Sequence, residues 1–371
     1  MTSRERLTRI HRGELPDRPA VKLWGLHPNQ SFPHPSYEVV YKAAIDTTDL
    51  VVGSGSSFNI HWGMAASEIT SGSEVPGRSE EWVDCIQEVR TPGGTLRSVY
   101  TRSTVGKPGY QKEHLLKEPG DLEKILSVPY KPYQFSAEAY LASEKSIGDR
   151  GITTFGLDHA MYAVERLIGS ENFALWSIEC RELLVEAISE YARRIAEHVK
   201  AAFAAGLKPI FAWVGPELCI PPLMSPKDFE DFVFRFDKPL CDLIHDGGGL
   251  VWVHCHGRMS PVLERFVEMG VDVLNPIEPP PMGDMTLEQA FAVVGDRMGL
   301  EGNIETHALM TATRERLVSM IEQAIVAGRG RRFILCPSSG YAEWPKPSER
   351  LISNLLTFVQ EGVRLAEACR A

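Results

Sequence analysis

The chain has 371 residues, 43% of them apolar, and a formal net charge of −10. That charge argues against nucleic acid, whose phosphates call for a basic stripe, and no run of about 18 apolar residues is available to span a membrane. The charged opening MTSRERLTRIHRGELPDRP lacks the apolar core of a secretory signal, and the seven scattered cysteines contain no CxxC pair, which reads as reduced thiols of a cytoplasmic protein.

In chain order, residues 3–13 predict a short helix, and PDRPAVKLWGL runs into a first strand. Residues 82–102 alternate around Pro92-Gly93-Gly94, the pattern of a hairpin. From residue 151 the pattern becomes regular. A strand over 151–158 ends in Asp158, and a long amphipathic helix over 179–205 is closed by Gly206. A strand over 209–214 runs into Gly215-Pro216-Glu217. A helix opens at Ser225, with Ser as N-cap and Pro226 in the first turn. The strand 250–253 leads into His254-Cys255-His256-Gly257. Strands over 271–276, 298–302 and 332–336 then alternate with helices over 260–269, 287–294 and 313–327, and a last helix covers 349–368.

Repeated strand–helix alternation means a parallel sheet with helical crossovers. An open doubly wound sheet shares this alternation, but no GxGxxG or GxxxxGK turn follows a strand to signal a nucleotide fold. The expected architecture is therefore α/β: a single domain over 1–371, a (β/α)8 TIM-type barrel whose residues 1–150 form an N-terminal elaboration and whose residues 151–371 supply the regular units.

In such a barrel the site lies at the C-terminal ends of the strands, where this chain places Asp158 and His159, Glu217, His254 and His256, Glu278, Asn303 and Glu305, and Cys336. Side chains two residues apart on a strand share a face. Trp252, His254 and His256 thus point one way, and Val253 and Cys255 the other. Two imidazoles about 7 Å apart along a strand can share a metal if the strand end bends, and Gly257 permits the bend. His254, His256, Glu278 and Cys336 supply two nitrogens, an oxygen and a sulfur, a donor set that favours zinc. The competing reading makes each strand-end histidine a hydrogen-bonded rim residue and Glu217 a capping or ion-paired carboxylate. Candidate acid–base residues are Glu217, Asp158 and His159; Trp24, Trp213, Asn303 and Tyr341 are candidates to line the substrate pocket.

At these residues the chain is similar to the uroporphyrinogen decarboxylase superfamily, which includes corrinoid-dependent methyltransferases. The opening SRERLTRIHRGELPDRPAV resembles the family's "RER…GE.PDR.PV" start, and Arg90 to Leu96 its "T..G.L" hairpin. WVHCHGRMSPVLERFVEMGVDVLNPIEPPPMGD resembles its "H.CG…L….G.D.L..E" block, and GLEGNIE and RFILCPSS fit its closing part. In the zinc-bearing methyltransferases of this group a His-x-Cys pair and a distant Cys hold the metal, and the related cobalamin-independent methionine synthase adds a Glu between them. By position, His254 and His256 match the pair, Glu278 the Glu and Cys336 the late Cys; His256 departs from the family's more usual Cys. The resemblance implies methyl transfer at a zinc site between a small methylated substrate or a thiol and a corrinoid (cobalamin) carried by a partner protein. Glu217 or Asp158 would handle the proton, and a homodimer is the family-level expectation. True decarboxylases grip their polycarboxylate substrate with a segment of the type "P.W.MRQAGR"; the matching stretch VKLWGLHPNQS has no arginine, which sets that activity second. A metal-dependent hydrolase would carry its HxH on the first strand, and a barrel without metal would be a binding module.

Overall fold

The computed structural model describes residues 1–27, 34–340, 343 and 346–370. Its strands, in chain order, are β1 (Ala20–Val21), β2 (Leu50–Ser54), β3 (Thr70–Pro76), β4 (Trp82–Thr91), β5 (Gly94–Ser103), β6 (Tyr110–Glu113), β7 (Gly151–Gly156), β8 (Ile210–Val214), β9 (Leu250–His254), β10 (Val273–Ile277), β11 (Gly299–Ile304) and β12 (Phe333–Pro337). Eight of them form one curled parallel sheet in the order β1-β12-β11-β10-β9-β8-β7-β2. Sequences such as LVWVH and FILCP suit this position, because a strand covered on both faces can be apolar along its whole length.

Among the described residues no ladder joins the two edge strands, β1 and β2. Asp49, fully buried, takes its place. Its backbone N–H donates to the Val21 carbonyl at 2.7 Å, and its carboxylate accepts the Val21 N–H at 2.9 Å. The same carboxylate receives Arg6 Nη1 at 2.6 Å and Arg18 Nη1 at 3.1 Å. One residue, through its backbone N–H and its carboxylate, thus supplies the hydrogen bonds that strand pairing would have made.

Residues of alternate parity divide the sheet's two faces. Ala20, Ile152, Ile210, Trp252, Val273 and Ile334 pack inside the curl as one cluster, together with Leu7 and Ile10 from the helix Ser3–His11. That helix, started by a Thr2–Glu5 capping box, plugs the N-terminal end of the strands. Residues of the other parity, among them Phe211, Trp213, Val251, Val253 and Leu335, belong to a larger cluster with the surrounding helices. The Ser225 helix start expected from sequence forms, with Asp228 completing a capping box. The hairpin expected over 82–102 also forms: β4 and β5 pair antiparallel around Pro92-Gly93, the centre of a separate sheet β3-β4-β5-β6. The N-terminal third is less irregular than its sequence suggests, since it also supplies β1 and β2 of the parallel sheet. No helix of the described residues is long and apolar enough to cross a membrane.

Two half-buried histidines lie where the N-terminal third meets the helix Arg181–Ala204. His61 Nδ1 is 3.2 Å from the Tyr191 hydroxyl, and burial, with the charges of Arg166 and Arg194, lowers its pKa to about 3. His198 stacks on Phe58 at 4.4 Å, and burial lowers it to about 4. Both stay neutral in the fold, while the unfolded chain takes up their protons near 6.5. Their contribution to stability is therefore complete above about pH 6.5 and is lost as pH falls below it, down to about 4 for His198 and about 3 for His61, by at most about 1.4 kcal/mol per pH unit for each group. We expect the thermal midpoint to decline between pH 7 and pH 4.5, and the doubly substituted His61→Gln/His198→Phe protein to show a shallower decline; an unchanged slope would contradict the assignment.

Candidate active site

Inward-facing residues one step above the apolar plug are polar, and they are joined. Lys22 Nζ donates to Glu301 Oε1 at 2.6 Å, with both side chains almost wholly buried. Trp252 Nε1 donates to Glu301 Oε2 at 3.0 Å, and Asn275 Nδ2 donates to Glu301 Oε1 at 3.0 Å. The other end of the Asn275 amide, Oδ1, faces His254 Nδ1 at 2.5 Å. The residue that follows β1 is thereby tied through side chains, across the interior, to the three consecutive strands β11, β10 and β9. The Lys22 ammonium also sits 4.0 Å from the Trp24 ring and 5.1 Å from the Trp252 ring.

His254 carries this network to the rim. Its ring stacks beside Trp252 at 6.0 Å, meets Trp24 edge-on at 5.7 Å and meets His256 edge-on at 4.6 Å. Burial and the neighbouring His256 lower its pKa to about 4, so it is neutral. His256 is half-exposed and places Nδ1 3.0 Å from Glu278 Oε2. Burial works against charging His256, but the hydrogen bond and the charges of Glu278 and Glu217 outweigh it and raise its pKa. Cys255, on the opposite face, is fully buried.

His256, Glu278, Glu217, Glu305, His307, Ser338 and Ser339 line a cavity of about 440 Å³ whose outer wall is Pro221, Pro222, Leu223 and Met282. Glu217 sits in a short turn, Pro216–Cys219, directly after β8. Burial raises its carboxyl pKa, with His256 opposing. Burial and the charge of Glu278 likewise raise Glu305, and its Oε1 is buried without a hydrogen-bond partner among the described residues. Two carboxyls held above their usual range beside a raised imidazole are suited to proton transfer. A second cavity of about 280 Å³ lies beyond His254, lined by Lys22, Trp24, Trp252, Thr154 and the β2 residues Val51 to Gly53.

Of the residues singled out from sequence, the structure brings together His254, His256, Glu278 and Glu217, and sets Trp24 beside them. Asp158 lies apart, its carboxylate accepting Arg166 Nη2 at 2.8 Å. His159 caps the helix Ala160–Ile168, accepting the Tyr162 N–H, and places Nε2 3.0 Å from Asp237 Oδ2. Both its nitrogens are thereby engaged in positioning that helix. Trp213 does not line a pocket: strand parity turns it outward into the apolar layer, where it is 2% exposed. Asn303 lines a smaller cavity of about 180 Å³ among Pro279, Leu287 and Gln323 rather than the main one. Tyr341 lies outside the described residues. Lys22, Asn275 and Glu301 were not singled out from sequence, although Ala20-x-Lys22-x-Trp24 and Gly299-x-Glu301-x-Asn303 carry the same two-residue spacing that marked the histidines.

No group of three or more His, Cys, Asp or Glu among the described residues is arranged to hold a metal ion. Cys336 is fully buried in the interior; burial pushes its thiol well above the ordinary range, Lys22 works the other way, and Glu301 bonds it and adds to the rise. The chemistry of the donors nevertheless fits zinc. Each histidine has Nδ1 engaged, with Asn275 or Glu278, and Nε2 without a hydrogen-bond partner among the described residues. An outer partner on one ring nitrogen and an open second nitrogen is the arrangement that metal-ligating histidines show.

A family model described as Uroporphyrinogen decarboxylase (URO-D) matches residues 151–358, more than half of the chain. No curated protein sequence matches. Among solved structures, a methyltransferase from Methanosarcina mazei superposes with a TM-score of 0.63 at 17% identity, covering 97% of this chain and 99% of that one. At that identity the likeness shows a shared fold. A D-psicose 3-epimerase from Clostridium cellulolyticum H10 reaches a TM-score of 0.38 at 10% identity, over 62% of this chain and 84% of its own. The Bacillus subtilis mannanase BCman reaches 0.41 at 9%, over 94% and 88%.

Removing one partner of a buried ion pair leaves an uncompensated charge and costs about 3–5 kcal/mol. We expect Lys22→Met to lose that much stability in urea unfolding. The double variant Lys22→Met/Glu301→Gln should lose less, because the charge is gone while an amide oxygen still accepts from the interior donors. A double variant as unstable as Lys22→Met would contradict the pairing.

Proposed function

Given that this chain belongs to the uroporphyrinogen decarboxylase family, we propose that its site transfers a methyl group between a small methylated substrate or a thiol and a corrinoid carried by a partner protein. The observation that carries this reading is the pair of imidazoles at the β9 terminus. They meet at 4.6 Å, each with Nδ1 engaged and Nε2 open, beside the carboxyl-lined cavity. In this reading the curled sheet is a closed barrel, with Asp49 standing in for the missing ladder, and its C-terminal rim is the reaction face.

His254 and His256 would hold a zinc ion through Nε2, with Cys336 as a further donor and Glu278 as the outer partner that orients His256. When bound, zinc supplies Lewis acidity that makes a thiol more readily ionised. The protein's own groups account for the remaining steps. The cavity holds the acceptor against Pro221, Pro222, Leu223 and Met282, which exclude water. The methyl group leaves its donor as the acceptor atom bonds to it, and Glu217 takes the acceptor's proton at its carboxylate. His256, tied to Glu278, stays fixed against the cavity wall.

Decarboxylation of a porphyrinogen is the weaker reading. Among the described residues that line the cavity there is no arginine or lysine to bind a polycarboxylate, whereas there are three glutamates to repel one.

Protein purified under reducing conditions should carry one zinc per chain, lost in His254→Ala and in Cys336→Ser. Metal-free protein that cannot be loaded with zinc would sink the zinc part of the proposal. Glu217→Gln should retain the metal and slow methyl transfer by about 10²–10⁴-fold, the usual weight of a general acid–base group.

A further inference from the structure

The hydrogen-bond chain Lys22–Glu301–Asn275–His254 can be read in one direction only. Lysine and the indole of tryptophan are donors without acceptor capacity, and an ionised carboxylate is an acceptor without donor capacity. Lys22 and Trp252 both donate to Glu301, so Glu301 is held as a carboxylate. The amide group that approaches Glu301 Oε1 at 3.0 Å must then be the NH2 of Asn275. With that end fixed, the carbonyl oxygen of Asn275 is the end that faces His254, at 2.5 Å. The Nδ1 of His254 must therefore carry the proton, and Nε2 must present its lone pair.

We infer that Lys22, Glu301 and Asn275 are positioning residues that fix the Nδ1–H tautomer of His254 and so keep its Nε2 an open donor atom at the rim. The inference adds a device to the proposed methyl-transfer site, and it concerns the tautomer rather than the reaction. The tautomer is set three links away, by a lysine that directly follows β1, and every link is nine-tenths or more buried: Lys22 is 3%, Glu301 1%, Asn275 0% and His254 8% exposed. Water therefore has little access to relax the chain. The orientation of an asparagine amide is ordinarily ambiguous and must be read from its partners; here a charged acceptor on one side removes the ambiguity. His256 has no such chain, since its partner Glu278 is a direct carboxylate acceptor.

The test is 15N-labelled histidine in the metal-free full-length protein, read by long-range 15N–1H correlation. The His254 signals are assigned by their loss in His254→Gln. Wild-type protein should show a protonated Nδ1 and a pyridine-like Nε2. Glu301→Gln offers Asn275 an amide that can donate as well as accept, so Asn275 can invert, and a mixture of tautomers or the Nε2–H form is expected. Asn275→Leu leaves Glu301 with Lys22 and Trp252 and removes the lock, giving a mixture. Asn275→Asp, protonated on the oxygen that faces Glu301, still donates to Glu301 and accepts from His254, and should retain the wild-type pattern. Titration with Co2+, followed by its visible absorption, should show about 10–100-fold weaker binding in Glu301→Gln, the usual cost of losing an outer partner of a metal-ligating histidine, and near-normal binding in Asn275→Asp. A wild-type His254 protonated at Nε2, or a Glu301→Gln protein that folds and keeps the pure Nδ1–H tautomer, would overturn the inference. Absence of methyl transfer would overturn the proposed activity and leave the tautomer result standing.

Discussion

A lysine and a glutamate buried against each other inside the curled sheet are the constraint on which the rest of the site rests. Lys22 and Glu301 would each be costly alone in that interior; together, with Trp252 and Asn275 completing the carboxylate's bonds, they are satisfied. The pair does more than tolerate burial. It joins the short β1, which holds only two residues of regular strand, to β11, and through Asn275 it aims the histidine at the end of β9. One end of the interior is an apolar plug built from Leu7, Ile10 and the first inward residues of the strands. The other end is polar and opens on the carboxyl-lined cavity. The ion pair marks the boundary between the two.

Much of this was legible from the amino-acid order. Strand–helix alternation from residue 151 onward is strong, because each parallel strand needs a helical crossover, and the structure places strands at each segment read there as one. The HxH spacing put Trp252, His254 and His256 on one face and Cys255 on the other, and the rings do meet that way. What was not legible depends on contacts between distant segments. Lys22 and Glu301 are 279 positions apart, and nothing local says that one will neutralise the other. Asp49 looks like an ordinary loop acid until Arg6, Arg18 and the Val21 amide converge on it. Trp213 was misplaced for a simpler reason: it ends a strand, but its parity faces outward, and the alternation that sorted His254 from Cys255 sorts Trp213 from Ala212 as well. His159 reads as a strand-end acid–base group until the helix it caps is seen.

The proposed zinc site would differ from a two-thiolate metal centre in a way that follows from its residues. With His256 where the family more often has Cys, the rim offers two imidazoles instead of an imidazole and a thiolate. The carboxylates Glu217, Glu278 and Glu305 add negative charge around the cavity. Charge in that position stabilises a cation at the rim without tightening any one bond, and it leaves Glu217 and Glu305, both held above the usual carboxyl range by burial, able to carry protons.

The central claim is that this rim moves a methyl group to or from a corrinoid. The most direct measurement is a single-turnover reaction of zinc-loaded protein with methylcob(III)alamin and a panel of small thiols, under anaerobic conditions, followed by the visible absorption of the cobalt. The account predicts conversion to cob(I)alamin with stoichiometric methyl thioether, in wild-type protein and not in His254→Ala. Methylcobalamin left unchanged by wild-type protein with every thiol, together with no methylation of cob(I)alamin from methylated amines, ethers or thioethers, would contradict it.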